Sequence, residues 1–110
     1  MNDTSARLPE TAKLPEQCET MIDVRAGVDA TDRELVALLE RRFGYMRAAA
    51  RIKPTRDAVR DEDRKASVIA AAVAEAEDRG LPGDLIGELW EQLVEGSIAY
   101  EFVHWDQIRD

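Results

Sequence analysis

Pro54 ends a helical period that has run unbroken from about residue 22. Leu39, Phe43, Met46 and Ala50 recur at the three- and four-residue spacing that lines one helix face. Proline disfavours helical geometry in the residue before it, so the helix is expected to stop at or just before Lys53. About 31 residues of helix extend roughly 46 Å. The remaining chain offers only two shorter helical patterns, which cannot cover so long an apolar face. A second copy of the chain is the simplest cover, and an intertwined homodimer is the expected assembly.

The two shorter patterns are well punctuated. Residues 54–60, PTRDAVR, read as a short connection. A second helix is expected from Asp61 to Arg79, where Gly80 and Pro82 give a strong stop signal. Val68, Ile69, Ala72, Val73 and Ala76 form its apolar face, with small residues that permit close approach. A third helix is expected from Asp84, read as its N-cap, to about Ile108. Ile86, Trp90, Leu93, Val94, Ile98, Phe102 and Trp105 give it a broad apolar stripe. Nothing alternates in the manner of a strand. The fold class is all-α: one long helix and two shorter ones in residues 20–110, preceded by residues 1–19 as a flexible tail with Pro9 and Pro15.

Composition removes several classes of function. The net charge of −8 argues against nucleic acid, whose binding needs a basic footprint, and against anionic membranes. Cys18 and His104 are the only residues of their types, so neither a disulfide framework nor a histidine or cysteine metal site is expected. No stretch approaches the ~18 unbroken apolar residues of a membrane span, and the N-terminus lacks an apolar signal region. A cytoplasmic protein without metal or cofactor is expected. Any anion site in this acidic chain must be a local concentration of cations.

Such a concentration exists in the first helix. In heptad numbering Val28, Leu35, Arg42 and Ala49 share one seam position, and Arg25, Asp32, Leu39, Met46 and Lys53 share the other. Arg25, Arg42 and Lys53 therefore hold core-type positions. Either they reach solvent or pair with acids such as Asp29 and Asp32, or they await an anionic ligand, because an unpaired interior charge is costly. Arg42 and Lys53 stand roughly 16 Å apart along the axis and nearly on one face, so their side chains can converge on a small molecule. Arg25 lies about 25 Å further back, and reaches such a ligand only from a second chain.

The other helices contribute more candidates. Asp61 and Arg64 are three residues apart at the start of the second helix, and Ser97 and Glu101 four apart within the stripe of the third. Asp61 has an ordinary reading as a helix cap and Ser97 as a small packing residue. Glu101 is harder to dismiss: a carboxylate among Val94, Ile98, Phe102 and Trp105 must be paired, protonated or functional. No nucleophile–base pair or glycine-rich phosphate loop accompanies these residues. The expected ligand is a small polyanion.

The order Arg25, Arg42, Lys53, then VRDEDR at 59–64 and GSIAYE at 96–101, resembles the all-helical chorismate mutase family. The N-terminal part, CETMIDVRAGVDATDRELVALLERRFGYMRAAARIK, is similar to the branch that includes isochorismate pyruvate lyases. The resemblance implies an intertwined dimer with two shared active sites and a dicarboxylate substrate, chorismate or isochorismate. It implies that Arg42 and Arg25 of the partner subunit clamp the substrate carboxylates, with Arg64 as a helper. Lys53 and Glu101 would face the ether oxygen, and Asp61 and Ser97 would line the pocket. Lys65 departs from the pattern, standing where typical bacterial mutases carry a glutamate that holds the ring hydroxyl. Glu101 departs too, standing where the lyase branch and many bacterial mutases have glutamine but fungal mutases use glutamate, and this tilts the reading toward chorismate mutase activity. Isochorismate pyruvate lyase activity, or a mutase for an amino analogue of chorismate, is the alternative. A silent helical dimer that regulates a partner enzyme is the alternative from another class, and gives no reason for three cations in the seam.

Overall fold

A computed structural model describes residues 12–110 and contains three α-helices: α1 (Met21–Ile52), α2 (Glu62–Asp78) and α3 (Gly83–Ile108). No strand occurs among the described residues. None of the helices is long and apolar enough to cross a membrane. The chain divides into two compact units, Met1–Gly44 and Tyr45–Asp110, and α1 runs through the division.

In the first unit, α1 starts where Thr20 takes the Asp23 N–H on its hydroxyl at 3.1 Å, which satisfies one of the unpaired donors of a helix start. Asp23 in turn accepts from the Glu19 N–H at 3.0 Å and from Lys13 Nζ at 3.1 Å. Those bonds, the Glu19 amide first and Lys13 after it, hold the Asp23 carboxyl below its ordinary range. The expected tail of residues 1–19 lies partly outside the described residues. Within the described part, Pro15–Gln17 forms a 3-10 turn that the aperiodic sequence did not announce. Along α1 the apolar side chains of Val28, Leu35 and Val36 remain exposed, at 52%, 52% and 65%.

The second unit has its own core. Val59, Val94 and Ile98 are buried, with Val68, Ile69, Trp90, Phe102 and Trp105 packed around them. The connection before α2 is not plain coil: Arg56–Val59 forms a 3-10 turn that delivers Val59 into this core. α2 ends as its sequence requires. Gly80 takes φ +76°, its N–H bonds to the Glu77 carbonyl at 3.0 Å, and the Leu81 N–H reaches back to Ala76 at 2.8 Å. That pattern closes a helix with a left-handed residue best supplied by glycine. The small residues do permit close packing of α2 on α3. A Cβ added at Gly87 would stand 3.3 Å from Val73 Cγ2.

One boundary differs from expectation. Asp84 is not the cap of α3: Pro82 holds that position with extended backbone, and the helix begins at Gly83. Proline and glycine accept this start without a side-chain cap. Asp84 then lies in the first turn, where its charge still complements the helix dipole.

Candidate active site

Lys53 is the first residue past α1. Its N–H still bonds to the Ala49 carbonyl at 2.9 Å, but Pro54 has no N–H with which to continue. The lysine side chain leaves this helix end and brings Nζ to 2.7 Å from Glu101 Oε2. Nζ also lies 3.4 Å from the Val59 carbonyl, to which it donates. Glu101 is 4% exposed and follows Val94 and Ile98 along the buried face of α3. Its Oε2 has no aligned hydrogen-bond donor among the described residues, so the contact with Lys53 acts through charge at short range. The lysine side chain keeps 29% of its surface open. A lysine that meets a buried carboxylate and the Val59 carbonyl while part of its side chain stays open can take a further acceptor, because an ammonium has three donors.

The sequence left Glu101 as paired, protonated or functional; it is paired. The same contact answers the question of an interior cation at Lys53, whose charge Glu101 offsets. Removing either partner would leave the other charge poorly compensated in a mostly apolar setting.

The remaining predicted residues fall into place separately. Ser97, one turn before Glu101, is buried and donates its hydroxyl to the Leu93 carbonyl at 2.7 Å. Asp61 is the N-cap of α2 and accepts the Arg64 N–H at 3.0 Å. The two residues thus meet through the backbone, while the Arg64 side chain is exposed. Arg25 and Arg42 belong to the first unit, Arg25 exposed and Arg42 half-buried on α1. A cleft of about 310 Å³ in that unit is lined by Pro15, Cys18, Val24, Val28 and Thr31 among others, and by none of the predicted site residues.

Lys65, the departure noted in the sequence, has its own partners. Its Nζ donates to Glu91 at 2.8 Å and to Glu95 at 2.6 Å. Arg60 meets the same Glu95 at 2.9 and 3.1 Å. Glu95 is held at about 2, well below the usual carboxylate range, by Arg60 first and Lys65 second. This lysine is tied to α3 by acids.

Two further residues escaped the sequence reading. Trp105 Nε1 and Arg109 Nη2 both donate to the Lys53 carbonyl, at 3.2 and 2.9 Å. Trp105 was legible only as part of the apolar stripe, and its indole N–H gave the one hint of a polar task. For Arg109, past the end of that stripe, no signal existed.

Comparison with known proteins shows the family of this chain. The family described as chorismate mutase type II matches residues 24–102. The isochorismate pyruvate lyase of Pseudomonas aeruginosa is 32% identical over 97 residues, which cover 88% of this chain and 96% of that protein. The match begins just before Arg25 and ends just after Glu101, so it contains every residue singled out above as a site candidate. This chain belongs to the chorismate mutase type II family of isomerase- and lyase-type enzymes.

Proposed function

We propose that this enzyme is a chorismate mutase, which rearranges chorismate to prephenate. The observation that carries the reading is the Lys53–Glu101 pair: a buried carboxylate 2.7 Å from the ammonium of a partly exposed lysine. The rearrangement is concerted and needs no covalent catalyst. The ether C–O bond breaks as a C–C bond forms, and negative charge grows on the departing oxygen. A protein accelerates such a step by holding the compact reactive conformer and by placing donors where the charge develops. Lys53 meets the ether oxygen in this scheme, and Glu101 orients the ammonium.

Arg42 and Arg25 of the partner subunit clamp the two substrate carboxylates, with Arg64 assisting and Asp61 and Ser97 lining the pocket. This sharing requires the homodimer. The exposed Val28, Leu35 and Val36 on α1 support it, because a row of large apolar side chains left in water favours burial against another surface. No cofactor takes part in the scheme.

A second reading, isochorismate pyruvate lyase, is favoured by the Pseudomonas aeruginosa relative, whose name states that activity. It splits isochorismate into salicylate and pyruvate, breaking the same type of ether bond, and the same clamp and donors serve it. Purified protein supplied separately with chorismate and isochorismate tests both. Prephenate formation supports the mutase, and salicylate with pyruvate from isochorismate alone supports the lyase. Turnover of neither substrate contradicts both readings.

A further inference from the structure

Lys53 is gripped at both ends by one row that runs along the end of α3 and onto its C-cap, Arg109. Glu101, Trp105 and Arg109 are spaced four residues apart, so they stand one above another on a single helix face. Glu101 takes the ammonium, while Trp105 and Arg109 take the carbonyl of the same residue. The carbonyl is one that α1 itself leaves unpaired: it lies at the helix end, and Pro54 blocks any further turn. The Arg109 guanidinium also lies over the Trp105 indole, 4.0 Å from its centroid, which fixes the two donors against each other.

We propose that Trp105 and Arg109 are positioning residues for Lys53, setting where its ammonium stands during the reaction. The inference rests on the role given to Lys53 above. A lysine side chain has four rotatable bonds, and the place of its charge depends on where its backbone is held. Glu101 alone fixes one end; the direction from which the chain approaches is fixed by the two donors on the carbonyl. If they are lost, the lysine keeps its charge and its partner but spreads over several positions. Substrate binding, which uses other cations, then changes little. The rate constant falls, because a donor aimed at charge that develops in the transition state loses its aim.

The competing role is structural: Arg109 Nη1 also lies 3.4 Å from the Trp105 carbonyl and so helps to close α3 itself. A kinetic split separates the two roles. Trp105→Phe removes the indole N–H and keeps a ring beneath Arg109; Arg109→Ala removes the second donor, and Arg109→Lys restores one. The double variant Trp105→Phe/Arg109→Ala is expected to lose roughly five- to tenfold in kcat, with KM within about twofold, from the usual worth of hydrogen bonds. Arg109→Lys in place of Arg109→Ala recovers part of the loss. In a Lys53→Ala chain the same double change leaves the residual rate unaltered. Unchanged kcat, a rise in KM alone, or the same loss without Lys53 would overturn the proposal. If the double variant fails to fold, the single variants decide by the same criteria.

Should the wild-type protein turn over neither substrate, the functional reading fails and the grip is judged without activity. Reductive methylation of Lys53, followed residue by residue with mass spectrometry, then proceeds faster in the double variant than in the wild type. Equal rates overturn the proposal on their own.

Discussion

Two clusters of cations and carboxylates are built on α3, and they differ in burial far more than in distance. Lys65 and Arg60 gather Glu91, Glu95 and Glu62 at contacts of 2.6 to 2.9 Å, with the acids largely in solvent. Lys53 and Glu101 make a contact of 2.7 Å in which the acid is almost wholly enclosed. The exposed cluster follows the ordinary logic of helix pairing. Its acids keep 39% or more of their side-chain surface in solvent, Glu95 is shared between Arg60 and Lys65, and each ion pair adds little to stability. The enclosed pair follows another logic. Enclosing a carboxylate is costly even when a cation faces it, and apolar side chains would fill that space at least as well. In the proposed function this pair, whose lysine keeps 29% of its side-chain surface open, is the one that meets the substrate. The contrast separates Lys53 from Lys65 by the burial of the acids that each one meets.

The largest effect that bears on this contrast concerns the cations outside both clusters. Arg25→Ala and Arg42→Ala are each expected to lower turnover by about 100-fold or more, as removal of a substrate clamp does. If the site is shared between subunits, mixing the two variant chains creates one site with both arginines and one with neither, and partial activity returns. No recovery despite demonstrated exchange of chains would break the shared site.

Glu101→Gln gives the next effect. The amide keeps the size of the side chain but carries no charge to hold the Lys53 ammonium, which stands 2.7 Å from the carboxylate. At neutral pH kcat is expected to fall several-fold with KM within about twofold, because the donor loses its orienting partner. Steady-state kinetics of the two proteins make the check. Unchanged kcat would remove Glu101 from the orientation of Lys53.

The smallest effect belongs to the exposed cluster. Glu95 is held at about 2 against an ordinary value of 4.5, mainly by Arg60 and then by Lys65. A lowered carboxylate contributes stability that is present above its ordinary value and lost as pH falls toward its folded value. Tm should therefore drop between about pH 4.5 and 2 in the wild type, and less steeply in Glu95→Gln. Turnover at neutral pH should be nearly unchanged. Equal slopes would remove the pair from the acid sensitivity of the fold.

Much of the architecture was legible because its signals are local. The end of α1 before Pro54, the close of α2 at Gly80 and the apolar stripe of α3 each depend on residues within a turn or two of one another. The Asp84 cap was misplaced because the helix begins one residue earlier, at Gly83, with Pro82 in the cap position and no side-chain cap. For the site, seam periodicity singled out Lys53, and the apolar surroundings singled out Glu101. That the two meet was not legible from either pattern. It depends on the 3-10 turn that brings Val59 into the core and on the packing of α3 against it. Trp105 and Arg109 were missed for a related reason: their partner is a backbone carbonyl, and no residue type in the sequence marks where such an acceptor lies.

The contrast between the two lysines is tested most directly by comparing Lys53→Ala with Lys65→Ala at neutral pH, measuring kcat and Tm for each. Lys53→Ala is expected to lose about 100-fold or more in kcat while remaining folded, as loss of a donor to developing charge does. Lys65→Ala should retain kcat within about twofold and melt a few degrees lower, as loss of an ion-pair network with partly exposed acids does. Similar losses of turnover in both variants, or a Lys53→Ala enzyme with wild-type kcat and only a raised KM, would contradict the assignment of the enclosed pair to catalysis.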